Sequence, residues 1–192
     1  KYNSTASKER YGLSEYRVLM FPGAPRPHKG VEDVLIALDK LNQPDLKLVI
    51  VGSNPYDDYD QKLIERWGNR IIKLSKFPVE TMPEVLAAAD VIVVPQRKNY
   101  TTLAQFPLKL TDGMAMAKPI LSTKVGDIPE ILGDTGYLVE PDSPHEIAEQ
   151  IQLIFDNLEY AKEKGRKARE RCVEKYSVEA MKPILESAIS RF

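Results

Sequence analysis

The sequence predicts an α/β domain in which a parallel sheet of about six strands is flanked by helices. Three observations point there. Short hydrophobic runs alternate regularly with segments of helical period. Hairpin signals are few, and the run Val91-Ile92-Val93-Val94 is continuously β-branched, as a strand buried on both faces requires.

Residues 17–21 (RVLMF) read as the first strand. Val31, Val34, Leu35, Leu38 and Leu41 then recur at helical spacing, with Glu32 and Asp33 in the first turn, where the helix dipole favours anions, and Asn42-Gln43-Pro44 at the end. Residues 46–51 (LKLVIV) form the second strand. Gly52 and the turn-rich SNPYDDYD lead to a helix carrying Leu63, Ile64 and Trp67, and residues 71–75 form the third strand. After Pro78 a short helix, roughly 80–89, leads to the fourth strand at 91–94. Residues 95–106 read as a loop, and Pro107 takes the first position of a helix containing Leu108, Leu110, Met114 and Ala117. Strands at 119–123 and 137–139 complete the sheet. From Ser143 onward the chain reads as two or three helical segments, the last opened by an N-cap serine, Ser177, with Glu179 close behind. Residues 1–16 read as a linker from a missing N-terminal domain and residues 17–192 as one domain.

Composition narrows the function classes. Hydrophobic residues at 43% and charged residues at 29% are ordinary for a folded soluble protein and exclude general disorder. No apolar run approaches the roughly 20 residues of a membrane span. A formal net charge of -1 argues against a protein that grips nucleic acid by bulk electrostatics, while leaving room for a local basic site. The single cysteine, Cys172, has no His or Asp at catalytic spacing and reads as structural. His28 and His145 lack metal-ligand spacing, so no metal site is expected. The Asn-x-Ser/Thr matches at Asn3 and Asn99 read as chance.

In such sheets ligands sit at the carboxyl ends of the strands, so the loops after strands one and four and the segment around Asp112 should converge on one cleft. The first of these is a stiffened turn, PGAPRPHKG, with Arg26, His28 and Lys29 just before a helix N-terminus. Cations added to unpaired helix amides make an anion site, phosphate above all; the alternative is a solvated turn. If Pro107 begins its helix, the amides of Leu108, Lys109 and Leu110 are unpaired and can cradle a diphosphate. Asp112, one turn on, can accept hydrogen bonds from two ribose hydroxyls, or is an exposed acid that complements the helix dipole.

The order of KG after strand one, VG ending strand two, AAADVIVVP at strand four and DGMAMAKPILSTKVGDIPEIL further on resembles the donor-binding half of retaining glycosyltransferases of group 1 (family 4). These have the GT-B fold, two Rossmann-like domains facing each other across a cleft. The resemblance covers about residues 9 to 191. It implies transfer of a sugar from a nucleoside diphosphate donor to an acceptor hydroxyl, with retention and without a cofactor. The implied partners are that donor and an acceptor glycan, lipid or small molecule held by the missing domain. The implied location is the cytoplasm, with any peripheral membrane contact made through that domain.

The resemblance also assigns residues. Gly23, Lys29 and Gly30 match a G-R then K-G pattern in which arginine and lysine hold the donor diphosphate. Ala24 stands in the arginine's place, and Arg26 is read as its substitute, making Arg26 and Lys29 the implied catalytic pair. Gly52, Gln105, Leu108, Lys109, Leu110 and Asp112 are implied donor contacts, and the loop Lys76-Phe77-Pro78 the nucleobase site. Asp112 falls on the second acid of E-x7-E, while the first acid falls on Ala104. Three consequences are open: Gln105 or the loop from Arg97 to Thr102 contacts the sugar instead, the donor is unusual, or transfer is lost. The first is preferred, because FPLKLTDGM is similar to a subset with P-x-K before the second acid. The competing readings are an inactive nucleotide-sugar-binding or regulatory domain and a GT-B-like nucleotide-sugar epimerase.

Overall fold

Strand alternation sorts the sheet's hydrophobic residues onto two faces. In the computed structural model, which describes residues 2–190, the strands are β1 (Arg17–Pro22), β2 (Leu46–Val51), β3 (Ile71–Leu74), β4 (Val91–Val94), β5 (Ile120–Thr123) and β6 (Tyr137–Val139). All neighbouring strands pair in parallel, in the order β3-β2-β1-β4-β5-β6. Leu19, Phe21, Leu48, Ile50, Val91 and Val93 face one layer of helices. Val18, Met20, Val49, Val51, Ile92 and Val94 face the other. The period of two in buried positions is what a sheet covered on both sides demands.

The first layer contains α2 (Val31–Leu41), α3 (Asp58–Trp67) and α8 (Pro144–Asp156), whose apolar stripes meet the β1–β2 face through Leu35, Leu38, Leu63, Trp67 and Ile151. The second contains α4 (Met82–Ala87), α6 (Leu108–Ala115), α7 (Ile128–Leu132) and α9 (Leu158–Tyr176), which contribute Val85, Leu110, Met114, Ile131 and Ala168. Cys172 of α9 is buried against α6, its thiol directed to the Thr111 carbonyl at 3.6 Å, a packing position in a hydrophobic layer. α10 (Val178–Ile189) starts at Ser177, whose side chain accepts from the Ala180 amide. No described helix is long and apolar enough to cross a membrane.

Several local expectations change. The residues read as a linker carry α1 (Ser4–Arg10), capped by the Asn3 side chain and packed on α4. Lys8 Nζ reaches Asp90 Oδ2 at 2.6 Å, and Arg10 pairs with Glu84 at 2.8 Å. Residues 95–106, read as a loop, contain the single-turn helix α5 (Tyr100–Leu103), closed by a capping box between Asn99 and Thr102. Reciprocal side-chain caps outweighed the weak helix propensity of Tyr100, Thr101 and Thr102. The short helix expected from residue 80 begins instead as a 3-10 turn at Val79–Thr81 and continues as α4. A short helix, α7, fills the interval between the last two strands.

The chain builds outward from β1 in both directions: β2 and β3 on one side, β4 to β6 on the other. The loops after β1 and β4 therefore leave in opposite directions and open a crevice at the carboxyl end of the sheet. Gly30 makes the first turn possible. It has φ 67°, and any Cβ there would overlap the Pro95 carbonyl oxygen at the end of β4, so a side chain would push the two loops apart.

Candidate functional site

A cavity of about 450 Å³ lies where that crevice opens. Pro22, Gly23, Ala24 and Lys29 come from the end of β1 and the turn after it. Val51 and Gly52 come from the end of β2, Lys76 and Phe77 from the segment after β3, and Met82 from the start of α4. The opposite wall is Gln105, Phe106 and Pro107 with Leu108, Lys109 and Asp112 of α6. Gly23, at φ 139°, keeps the floor open, for a Cβ there would stand 3.3 Å from Lys109 Nζ.

Two lysines dominate the electrostatics. Lys29 Nζ donates to the Ala24 carbonyl at 2.8 Å, which folds the turn back over its own start. Burial, and then the Arg26 charge, lower the pKa of Lys29. Lys109 Nζ lies 4.2 Å from the centroid of the Phe21 ring, a cation-π contact at the base of the cavity. Burial and the nearby Lys29 bring Lys109 down from 10.5 to about 7, with no acid offsetting them. His28 is lowered by burial and by Lys29, Lys109 and Arg26. Asp112 is raised by desolvation. The cavity thus concentrates positive charge on groups poorly served by water, an arrangement that favours an entering anion.

The structure brings together Gly23, Lys29, Gly52, Phe77, Gln105, Leu108, Lys109 and Asp112 on this cavity. It leaves Arg26 and Leu110 out. Arg26, read as the inward substitute for a missing arginine, instead pairs with Asp57 at 2.6 Å and donates to the Pro25 carbonyl at 3.0 Å. Asp57 is the N-cap of α3, so its carboxylate is held beside the turn and neutralises the guanidinium there. Leu110 is excluded by a tightened first turn of α6, in which its amide bonds three residues back. Pro107 is the N-cap rather than the first helical residue, and the Leu110 amide already donates to the Pro107 carbonyl at 2.8 Å. Its side chain is fully buried. The amides of Leu108 and Lys109 remain at the open end of α6.

The loop from Arg97 to Thr102 is turned to structural use. Arg97 grips both carboxylate oxygens of Asp33 and also pairs with Asp142 at 3.2 Å, while the Thr102 hydroxyl donates to the Arg97 carbonyl at 2.6 Å. Gln105 instead reaches the cavity, and the buried Gln96 side chain donates to its carbonyl oxygen at 3.2 Å. Ala104 ends α5 and does not line the cavity. Among cavity residues, sequence reasoning passed over Met82 and Phe106, whose apolar character carries no distinguishing signal. It also missed Asp57, whose Asp-x-x-Asp spacing before a helix marks an N-cap. The described residues hold no cluster of three or more His, Cys, Asp or Glu suited to a metal ion.

A family model described as "Glycosyl transferases group 1" matches residues 16–157. Over 186 residues, 93% of the chain and 47% of the relative, the sequence is 33% identical to N-acetyl-alpha-D-glucosaminyl L-malate synthase of Bacillus anthracis. The chain spans about half the length of the curated relatives it matches. Its fold is that of Anabaena Alr3699/HepE, solved in complex with UDP-glucose, with a TM-score of 0.84 at 19% identity over 98% of this chain and 52% of that one. It is also that of the C-terminal domain of a group 1 family protein (LpcC) from Francisella tularensis, with a TM-score of 0.73 at 22% identity over 92% of this chain and 96% of that one. On the matched residues and the identity to its relatives, the chain belongs to the group 1 glycosyl transferases.

Proposed function

We propose that this chain binds a nucleoside diphosphate sugar and forms the donor-holding half of an enzyme that transfers the sugar to an acceptor hydroxyl with retention at the anomeric carbon. The observation that carries the reading is the convergence of Lys29, Lys109 and the open end of α6 on one cavity at the carboxyl end of the sheet. The UDP-glucose complex of HepE supports the donor class.

As the glycosidic bond breaks, negative charge grows on the departing diphosphate. Lys29, Lys109 and the free amides of Leu108 and Lys109 meet that charge from fixed positions, so stabilisation requires little reorganisation. Asp112 accepts from the ribose hydroxyls. The base lies against Lys76 and Phe77, and Phe77 is held by an edge-on contact with Tyr11, ring centroids 5.5 Å apart. Gln105, oriented by Gln96, faces the sugar in the absence of an acid at Ala104. The acceptor and the remaining catalytic groups belong to the facing half of the enzyme.

Calorimetric titration of this chain with UDP, GDP and ADP tests the reading. One of the three binds, and Lys29→Ala weakens it by about tenfold or more, the value of a charged hydrogen bond. If none of the three binds, or Lys29→Ala leaves affinity unchanged, the reading falls.

A further inference from the structure

Lys109 is a cavity cation that both burial and Lys29 disfavour and that has no hydrogen-bond or ion-pair partner among the described residues. Lys29 has the Ala24 carbonyl as a partner. Arg26, outside the cavity, has Asp57. Lys109 Nζ rests on the Phe21 ring, and no described carboxylate offsets its desolvation or its repulsion by Lys29. The charged and titratable groups around it are Lys29 and His28 from the turn after β1, Lys76 across the cavity, and Asp112 on its own helix. From β1 it meets the Phe21 ring and Gly23. Cations outnumber the single acid, so a bound dianion changes the field at Lys109 more than any neighbour does.

We propose that the diphosphate and a proton enter this site together, with Lys109 as the group that takes up the proton. The inference rests on the donor-binding reading and deepens it: donor affinity becomes pH-dependent through a residue on α6, and release of the nucleoside diphosphate returns the proton. Near pH 7 the empty protein holds Lys109 as a mixture of neutral and charged forms, since burial and Lys29 bring it down to about 7. Bound phosphate oxygens favour the ammonium. Above the free-state value, each pH unit then lowers affinity by up to ~10-fold until the bound-state value is passed. His28 is lowered from its ordinary 6.5 by burial and by its cationic neighbours, and it does not line the cavity.

The test is calorimetry of the full chain with whichever of UDP, GDP or ADP binds, at pH 7.0 to 8.5, in pairs of buffers that differ in ionisation enthalpy. Wild-type protein is expected to take up more than half a proton at pH 8 and to lose about tenfold in affinity by pH 8.5. Lys109→Arg, permanently charged, removes the uptake and reports the ligand's own ionisation. Lys109→Met removes the uptake and weakens binding at pH 7. A nucleotide that binds wild-type protein without proton uptake, or with the same uptake in Lys109→Met, overturns the inference and leaves the donor reading standing. If no nucleotide binds, both fall.

Discussion

Arg97 closes a fork on Asp33: its Nε lies 2.9 Å from one carboxylate oxygen and its Nη2 2.7 Å from the other. Asp33 sits in the first turn of α2, directly after the turn that carries Lys29, and Arg97 follows β4. The pair ties together the two loops that diverge at the switch point, beside the close approach of Gly30 to Pro95. The guanidinium is held well above its ordinary value by Asp33, with Glu32 and Asp142 adding to the effect.

Removing one half of this pair strands the other. Asp33 has a side chain only 7% exposed, so Asp33→Ala leaves Arg97 with partners on its solvent side alone. The expected loss is about 2–4 kcal/mol in urea denaturation, towards the lower end of the range for breaking buried pairs because Arg97 is 30% exposed. A loss below about 0.5 kcal/mol would show that the fork contributes nothing to the fold.

Arg26→Ala should leave nucleoside diphosphate affinity within about threefold, because its charge is spent on Asp57 at a half-exposed position. Its effect is on stability, a drop of no more than about 1 kcal/mol. A tenfold loss of nucleotide affinity in this variant would return Arg26 to the cavity.

Lys109 gives a stability prediction of opposite sign. Its folded-state pKa, about 7, lies below its ordinary 10.5, so between these values the unfolded chain binds more protons and stability rises with pH. Below pH 7 the full cost of charging the buried amine is present. Lys109→Met removes that cost and should raise the melting temperature of the nucleotide-free protein at pH 6 to 7, by on the order of a few kcal/mol in stability, with the gain fading towards pH 10. Lys118, brought down to about 8 by burial, adds a similar slope to both proteins, so the difference between them isolates Lys109. Equal melting temperatures at pH 6.5 would contradict the prediction.

Asp112 is tested against the sugar of the nucleotide. If its carboxylate accepts from both ribose hydroxyls, Asp112→Ala and a 2′,3′-dideoxy nucleotide each lose roughly tenfold in affinity, and the two losses do not add. Additive losses measured by calorimetry would place the ribose elsewhere.

Much of the architecture could be read along the chain. Val91-Ile92-Val93-Val94 announced a strand buried on both faces, and the repeat from Val31 to Leu41 announced α2, because period and β-branching are local properties. The single-turn helix α5 was missed because its stability lies in the reciprocal caps of Asn99 and Thr102, which outweigh poor propensity. The wrong side of Pro107 was assigned because residues at the N-cap and at the first helical position differ by one backbone rotation that side-chain identity does not report. The Leu110 amide is paired for a separate reason, a bond three residues back to the Pro107 carbonyl that tightens the first turn.

By itself the sequence determined the alternation of strands and helices, the parallel sheet and the convergence of the turn carrying Lys29, the loop after β4 and the segment around Asp112 at its carboxyl end, since these follow from hydrophobic period and from the geometry of parallel crossovers, while Gly23, Gly52 and Phe77 were added by the family resemblance. The tertiary structure decided which cation faces the cavity. Arg26 and Lys109 are equally basic in the sequence, but Asp57, 31 residues from Arg26, draws one outward, while Phe21 in β1 receives the other against its ring. The direction of a long side chain is set by such distant partners, and folding alone brings them within reach.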